Sequence, residues 1–489
     1  IYISIGGLMG TIMFLNVWLV IWPRQQIMIP SANSVIGGGP ADPRAAVVAP
    51  QAALASRTNV VFSIPLLFFL LRKYFSENIS LSLTALFACS FYAFKYSRFA
   101  WNPNSTPFWT MIFLYALLEI FGSQSKRKYI WAIIAGIAIG VGVQLHTFLL
   151  ASLPVITILS FGYLILKKNK GLVKYFFIIL FLSLFLNIPQ ILHETQTNGE
   201  NIKALFSGAK TKQETSRTFV EKVVKTSECY TAANIQIVSS VYYDNDTCDV
   251  YNKKNKATLL IGLLGGIFFF GGILLTFRYM RKEMNHDAKM FLGLTLTYMG
   301  VLFLFIIPVA YEISLRYFLI LLFMPFFFLG IWSKFLSEQF ASSKKTLLLA
   351  ILLVLFATNI IAIRTNVRAL MSYSTDLSGS GFDIVYLGEM EQISQYIVSR
   401  AGGSREVLIG GNKNYLFKSE NAIIYLAHKQ GIQVISLDRN KDDLVAPTFY
   451  LISTKSKVKF MKNMVSEEYK SLDSKSFGRF TIVSTLPLK

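Results

Sequence analysis

Residues 259–277 read LLIGLLGGIFFFGGILLTF, and this stretch decides the fold class of the chain. It carries no charged side chain, and Arg278, Arg281 and Lys282 follow it directly. A helix that crosses a bilayer needs about 20 consecutive, mostly apolar residues. Because Lys and Arg collect at the cytoplasmic ends of membrane helices, the stretch predicts a spanning helix that runs inward.

The same pattern recurs along most of the chain. Hydrophobic residues make up 53% of the 489 residues and aromatic residues 14%, which is too apolar for a soluble protein of this length. The pattern predicts a polytopic α-helical membrane protein with ten spans. The predicted spans are Asn59–Leu71, Ile79–Tyr96, Pro107–Phe121, Tyr129–Leu145, Thr147–Leu166, Val173–Leu192, Thr258–Phe277, Lys289–Ala310, Arg316–Phe335 and Leu347–Ile363.

The connections between these spans alternate in charge. One set is basic, and the positive-inside rule places it in the cytoplasm. The basic connections are Arg72–Lys73, Lys126–Lys128, Lys167–Lys170, Arg278–Lys282 and Lys344–Lys345. The long Gln190–Ala257 connection then faces outside, as does the chain after Arg364. Since much of the net charge of +21 lies in cytoplasmic turns, topology explains it better than nucleic-acid binding, and we predict no nucleic-acid partner.

The sequence divides into three predicted parts. Residues 1–56 form an outer-face re-entrant or juxtamembrane segment that is rich in Pro and Gly. Residues 57–371 form the transmembrane part, with an external loop at 190–257. Residues 372–489 alternate helical and strand patterns, which predicts a small extracytoplasmic α/β domain. Its predicted helices are Met390–Ser399 and Asn421–Gln430, and its predicted strands are Glu406–Gly410, Val434–Leu437, Thr448–Ser453 and Phe480–Ser484.

The cysteines indicate an oxidising compartment. Cys229 and Cys248 both fall in the predicted external connection, where a disulfide is favoured over two free thiols. Cys89 lies inside a predicted span and is interpreted as a packing residue. No C-x-x-C motif or His/Cys cluster indicates zinc.

Ionisable residues at membrane depth are costly, so polar clusters at the ends of the spans are candidates for function. The predicted topology places four such clusters on the outer face. The first contains Arg98, Trp101 and Asn102. An Arg guanidinium forms paired hydrogen bonds to phosphate, and Trp and Asn commonly contact sugars. The alternative is an aromatic belt at the membrane edge with a capping Asn.

The second cluster is Gln144 and His146, after a helix that contains Gly136, Gly140 and Gly142. The glycines predict close helix packing. His146 is a candidate for binding phosphate or moving a proton, and the alternative is a satisfied polar residue between helices.

The third and fourth clusters add carboxylates. Glu194 follows His193 just past a span, where it would hold a metal or act as a base, or simply be solvated. Glu312 and Arg316 flank another outer edge. Arg316 is a candidate for a lipid phosphate, and the alternative is an ion pair between these two side chains.

Short strings along the chain resemble those of one enzyme family. They are Ser4–Gly7, Ser97–Arg98, Trp101–Asn104, Gln144–His146, Arg316–Leu319 leading to Pro325, and Leu387–Met390. In this order, on a chain with many spans and a C-terminal external domain, they resemble bacterial GT-C membrane glycosyltransferases. The relevant branch holds the protein O-mannosyltransferases and the lipid A aminoarabinose transferases. The order of elements carries the resemblance, which covers most of the chain.

The resemblance implies an inverting transfer of a sugar from a polyprenyl-phosphate donor to a protein, lipid or glycan acceptor at the outer face of the cell membrane. It also implies basic groups that hold the departing lipid phosphate, an Asp in the first external loop as base, and in some members a divalent metal ion. Residues 1–41 contain no acidic residue. We therefore expect the catalytic Asp to precede Ile1 in a longer chain, with Asp42 as the weaker candidate.

Two other functions stay open at this point. A polymerase or ligase of surface polysaccharide would use the same lipid carrier. A flippase or transporter of lipid-linked sugars would be expected to show internal repeats and charges at mid-membrane. No repeat is evident in the sequence and the polar clusters lie at one predicted face, so the sequence favours the transferase.

Overall fold

The structure is a computed structural model. It describes residues 19–20, 22–36, 42–97, 102–123, 125–167, 170–200, 203, 217–241, 248, 256–311, 313–339, 344–371, 387–411, 413–437, 447–453, 469–477 and 480–487. These residues fall into two compact units. Ala53–Arg364 lie in the first unit, and Trp18–Ala52 and Thr365–Lys489 lie in the second.

The first unit is a bundle of helices, and the second unit also contains helices. Within the described residues the helices are, in chain order, α1 (Trp22–Ile36), α2 (Pro43–Leu71), α3 (Glu77–Ala88), α4 (Phe91–Ser97), α5 (Thr106–Phe121), α6 (Lys128–Leu145), α7 (Thr147–Leu166), α8 (Val173–Leu186), α9 (Ile188–Gln196), α10 (Phe219–Ser239), α11 (Lys256–Lys282), α12 (His286–Ile306), α13 (Met324–Gln339), α14 (Lys344–Met371), α15 (Leu387–Arg400) and α16 (Lys413–His428). Short 3-10 helices at Asn102–Ser105 and Leu315–Leu321 join some of them. The α1 helix, α15 and α16 belong to the second unit.

The bundle is that of a multi-pass membrane protein. Five helices in the described part of the chain are long and apolar enough to cross a bilayer, and up to eight spans result if each of three bent helix pairs counts as one. The bends are 48° between α3 and α4, 58° between α8 and α9, and 65° between Leu315–Leu321 and α13. The polytopic helical fold is therefore confirmed.

Ten spans were expected, and by length and composition five to eight are found in the described part of the chain. The predicted span Pro107–Phe121 corresponds to α5, which has 16 residues and is buried along nearly its whole length. The helix therefore lies among its neighbours, and its even apolarity reflects burial inside protein. Two of the bends have a proline in the first turn of the following helix, at Pro189 and Pro325, which interrupts an otherwise continuous apolar run.

The predicted external connection at 190–257 contains a buried helix that the sequence analysis did not predict. Helix α10 begins with a capping box between Thr218 and Glu221, and its residues from Cys229 to Ser239 are all buried. It packs against α11 and α13. The sequence analysis did not predict this helix because Thr231 and Asn234 make the segment too polar for a span, although its alanines allow close packing.

A disulfide joins Cys229 in α10 to Cys248, with 4.6 Å between their Cα atoms. Both side chains are buried. The bond therefore attaches the chain after α10 to the core of the first unit.

We expect removal of this disulfide to lower stability measurably. In the chain-entropy account, a disulfide that closes a loop of 19 residues in the unfolded chain stabilises the folded state by about 3 kcal/mol. The replacement of Cys248 by serine should lower the thermal unfolding temperature, measured in detergent, and reductant should lower that of the wild type likewise. The matched control is Cys89→Ser, because Cys89 is a free thiol. Recovery of Cys229 and Cys248 as separately alkylated peptides without prior reduction would contradict the bond.

Glycines let α6 approach α8 closely. A Cβ at Gly136 would lie 2.9 Å from the Cβ of Leu182, and one at Gly140 would lie 2.8 Å from Cδ1 of Leu186. Near the end of this contact, Gln144 Nε2 donates to the carbonyl oxygens of Gly140 and Leu186 at 3.0 and 3.1 Å. The predicted close packing is confirmed for these two glycines. Gln144 joins two helices and therefore has a structural role.

The second unit contains an α/β sheet. Its strands are β1 (Glu406–Gly411), β2 (Gln433–Ser436), β3 (Thr448–Ser453), β4 (Tyr469–Phe477) and β5 (Phe480–Pro487), in the order β2-β1-β3-β5-β4. Strand β1 pairs in parallel with β2 and β3, whereas β5 is antiparallel to both β3 and β4. Buried side chains of α15, α16 and the sheet form one core. The predicted α/β class of this part is confirmed. Strand β4 was not predicted from the sequence.

The described residues of the Pro- and Gly-rich stretch near the start are mostly helical. Pro43 opens α2, where a proline is tolerated because the first N–H groups of a helix have no intrahelical partner. The alanines that follow are strong helix formers. The described residues before Ala53 belong to the second unit. Within the predicted outer-face segment at residues 1–56, residues 1–18, 21 and 37–41 lie outside the described residues.

Candidate functional site

His146 lies between α6 and α7 and caps the start of α7. The backbone N–H of Phe148 donates to Nδ1 of His146 at 3.2 Å. Because Nδ1 accepts this hydrogen bond, the proton of the neutral ring sits on Nε2. His146 therefore presents an N–H donor on the other side of its ring.

Burial keeps this imidazole neutral. The side chain is 8% exposed, and desolvation lowers the pKa of His146 from 6.5 to about 4. Burial in an apolar environment disfavours the charged form of histidine. Two functional hypotheses were given for His146, phosphate binding and proton transfer. A neutral ring favours phosphate binding through a hydrogen-bond donor over proton exchange near neutral pH.

Aromatic contacts bring His146 to the segment that carries Arg316. The His146 ring meets the Tyr317 ring edge-on at 5.8 Å between centroids, and it stacks on Phe148 at 5.4 Å. The guanidinium carbon of Arg316 lies 5.4 Å from the centroid of the Tyr317 ring, and the Arg316 side chain is exposed. The structure thus joins the second and fourth sequence clusters at one place.

Two buried tyrosines hold the Leu315–Leu321 segment in position. Tyr92 of α4 donates its hydroxyl to the carbonyl oxygen of Leu315 at 2.6 Å. Tyr298 of α12 donates to the carbonyl oxygen of Ile320 at 2.5 Å. Both tyrosines are nearly inaccessible to solvent. The backbone on which Arg316 stands is therefore fixed near each end by a side chain from another helix.

The first sequence cluster is described in part. Arg98 and Trp101 lie outside the described residues, and of Asn102 the structure describes the backbone. That backbone opens the 3-10 helix Asn102–Ser105, which packs against Leu315–Leu321 and against α6. The backbone of the first cluster therefore reaches the segments that carry Arg316 and His146.

Sequence reasoning missed Asn359, a fully buried residue of α14. Its Oδ1 accepts from the backbone N–H of Phe91 at 2.9 Å and from the hydroxyl of Ser240 at 2.6 Å. Its Nδ2 donates to the carbonyl oxygens of Val238 and Leu355 at 2.7 and 2.8 Å. Two donated and two accepted bonds saturate the amide. The signal was present in the sequence as one Asn within the apolar run Leu347–Ile363.

The Asn359 amide forms hydrogen bonds with backbone groups that the helices themselves leave unpaired. It reaches the start of α4, where the span bends, and the end of α10. Irregular backbone at membrane depth is tolerated where protein groups satisfy it. Since α4 also carries Tyr92, a chain of contacts leads from Asn359 through α4 to the carbonyl oxygen of Leu315, next to Arg316.

The other predicted site residues stand apart or cannot be placed. Glu194 is half-buried on α9, a helix that packs against α8, and its neighbour His193 is exposed. Glu312 lies outside the described residues, so neither its ion pair with Arg316 nor a metal role is tested. In the described part of the chain, no group of three or more His, Cys, Asp or Glu side chains is arranged to hold a metal ion.

Asp42, the weaker candidate for a catalytic base, is engaged by a neighbour. The Nη2 of Arg44 donates to Oδ2 of Asp42 at 2.7 Å. This hydrogen-bonded ion pair holds the pKa of Asp42 below its usual range. A carboxylate with a lowered pKa is a poorer proton acceptor, so its surroundings disfavour Asp42 as a base.

Comparisons with known proteins do not assign the chain to a family. A family described as the N-terminal part of urate oxidase matches residues 1–121 of the 489. No curated protein matches. The crystal structure of ArnT from Cupriavidus metallidurans bound to undecaprenyl phosphate is similar over 99% of this chain and 97% of that chain, at 11% identity and a TM-score of 0.43. At that TM-score the likeness carries no argument about function.

Proposed function

We propose that this protein is an integral-membrane glycosyltransferase of the GT-C type. It would move a sugar from a polyprenyl-phosphate donor to an acceptor at the outer face of the cell membrane. The observation that carries the proposal is the convergence of His146 and Arg316 around Tyr317, because the sequence places both at the outer ends of spans. Their chemistry suits a phosphate that enters sideways from the bilayer.

The two side chains would play complementary parts. Arg316 offers a planar fork of N–H groups that matches phosphate oxygens. His146 offers one neutral N–H, which binds an anion without adding a second desolvated charge. Transfer of the sugar breaks the bond to the phosphate oxygen, so negative charge on the phosphate grows as it departs. Donors fixed at that place stabilise the transition state more than the ground state.

The remaining assignments rest on the family resemblance. Arg98 would add a second guanidinium, with Trp101 and Asn102 against the sugar. Glu194 and Glu312 would be acidic groups at the same membrane face. The resemblance implies an Asp as the base that takes the acceptor proton, and the ion pair with Arg44 disfavours Asp42 for that role. The second unit would lie outside the cytoplasm.

We expect substitutions at His146 to separate a hydrogen-bond donor from a proton carrier. His146→Gln supplies an N–H and should keep most of the transfer activity, whereas His146→Ala should lose about 10²-fold in turnover. The pH profile of the Gln variant should follow that of the wild type between about pH 5.5 and 8, because His146 is neutral throughout. The assay is sugar transfer from a polyprenyl-phosphate donor. An inactive Gln variant with wild-type stability would contradict the donor role.

The same lowered pKa has a consequence for stability. The folded state holds His146 with a pKa of about 4 against 6.5 in the unfolded chain. The unfolded state therefore binds more protons between these values. The stability that neutral His146 confers is present above pH 6.5 and is lost as the pH falls towards 4.

The membrane orientation predicts which side a reagent can reach. Lys429→Cys, an exposed position of the second unit, should react with an impermeant thiol reagent in intact cells. Ser125→Cys, in a basic connection, should react only after the membrane is opened. Both changes belong in a Cys89→Ser background, which removes the free thiol. The reverse pattern would overturn the orientation and with it the outer-face reaction.

A further inference from the structure

Helix α9 carries apolar and polar side chains on opposite faces. None of its nine residues, all of which the structure describes, is buried within the protein. Gln190 and His193 lie on one face. The other face holds large apolar side chains that are 43–54% exposed, namely Ile188, Ile191 and Leu192. The helix therefore presents an apolar face that no other part of the bundle covers.

This apolar face continues the lipid-facing surface of α8. Phe177, Phe181 and Leu184 of α8 are exposed, although α8 and α9 together are apolar enough to form one of the membrane spans. Exposed apolar surface on a membrane bundle is covered by acyl chains. These residues and Ile188 follow one another at intervals of three or four residues, as on one face of a helix. The surface that lipid covers therefore runs past the bend and into α9.

Hydrogen bonds to α6 hold the bend in place. Nδ2 of Asn187 donates to the carbonyl oxygen of Gly140 in α6 at 3.1 Å. In the opposite direction, Nε2 of Gln144 in α6 donates to the carbonyl oxygen of Leu186 at 3.1 Å. Pro189 follows and has no backbone N–H with which to continue the helix. The turn of 58° is therefore built into the packing of the bundle.

The length of α8 places the start of α9 at membrane depth. The 14 residues of α8 cover about 21 Å, whereas the hydrocarbon core of a bilayer is about 30 Å thick. Lipid is therefore available to cover the apolar face of α9 where the helix begins. The polar face avoids acyl chains only if it is turned towards the headgroups, which is the arrangement of interfacial amphipathic helices.

We propose that α9 is an interfacial helix that binds lipid along the boundary between the acyl chains and the headgroups of one leaflet. Ile188, Ile191 and Leu192 enter the acyl chains, and the opposite face meets headgroups and water. In the predicted topology this is the outer leaflet. The proposal replaces the single straight span predicted for Val173–Leu192. It does not depend on the proposed function, because it involves neither a substrate nor a reaction.

Spin labels in vesicles of phosphatidylcholine and phosphatidylglycerol test the proposal. Single cysteines in a Cys89→Ser background carry the label at four consecutive positions, without reductant. Collisions with oxygen report acyl chains, and collisions with a water-soluble nickel chelate report water. Labels on Ile191→Cys and Leu192→Cys should collide more often with oxygen than with nickel. Labels on Gln190→Cys and His193→Cys should show the reverse ratio.

Two further positions calibrate the measurement. Phe181→Cys, on the exposed side of α8, should favour oxygen more than any position of α9, and Ser125→Cys, in a basic connection, should favour nickel. Nickel preference at all four positions would place α9 in water, and oxygen preference at all four would make it part of a straight span. Few collisions with either reagent at Ile191→Cys and Leu192→Cys would mean that protein covers this face. Each of these three results overturns the proposal.

A variant that fails to fold leaves the test intact, because Ile188→Cys reports on the same apolar face. Collision rates do not measure sugar transfer. A negative result here therefore leaves the proposed function to its own tests, and an inactive enzyme leaves the position of α9 unaffected.

Discussion

Replacing Arg316 by alanine should lower sugar-transfer turnover by about 10²–10³-fold, because it removes a charged donor from the place where the departing phosphate gains charge. Arg316 is exposed, so the variant should keep its expression level and its unfolding temperature. Arg316→Lys should recover part of the rate, since an ammonium group supplies the charge without the fork. The measurement is single-turnover transfer from a polyprenyl-phosphate sugar in detergent or vesicles.

The control for Arg316 is Arg281→Ala, another exposed arginine, which the topology places in a cytoplasmic connection. Its activity should match that of the wild type. Arg98→Ala should resemble Arg316→Ala, as the sequence places it at the same face. Wild-type turnover in both Arg316→Ala and Arg98→Ala would show that neither residue takes part in the reaction. If a labelled lipid-linked sugar crosses vesicles without transfer, the protein is a flippase.

Replacing Asn359 by leucine should have the largest effect on stability. The change leaves the backbone N–H of Phe91, the hydroxyl of Ser240 and the carbonyl oxygen of Val238 without their side-chain partner. With about 1–3 kcal/mol for each buried group left unpaired, the loss should exceed about 3 kcal/mol. We expect a marked drop in expression and in unfolding temperature, measured by fluorescence in detergent.

Thr358→Val is the matched control for Asn359→Leu. Thr358 is the preceding residue, and its hydroxyl donates to the carbonyl oxygen of Leu355 within its own helix. Loss of this hydroxyl should lower stability only slightly, because the Leu355 carbonyl belongs to the hydrogen-bonded backbone of the helix. Equal stability in the two variants would show that the Asn359 contacts between helices do not matter. If some Asn359→Leu protein folds, its transfer rate should also fall, because α4 positions the Leu315–Leu321 segment through Tyr92.

The sequence was most informative where a local pattern reports one physical property. Apolar length predicted helices α6 and α7 almost to the residue, since the bilayer requires a continuous apolar run. Strand β3 was predicted at its observed bounds, because a short β-rich run between turn residues has few alternatives. Strand β4 was missed, as its residues are mostly polar and it is recognised through its pairing with β5.

For the candidate site, the sequence by itself determined which residues stand near the predicted outer ends of the spans. His146 and Arg316 were selected because polar side chains are rare and costly at that depth. The tertiary structure alone decided that they meet around Tyr317, that Nδ1 of His146 is already engaged, and that Asn359 is linked to Arg316 through α4. The reason is physical: hydrophobicity is a property of one segment, whereas hydrogen bonds between helices depend on which segments pack together. The buried helix α10 shows the same limit, because its polar residues hid it from a search for apolar runs and only the packing shows that residues Cys229–Ser239 are buried.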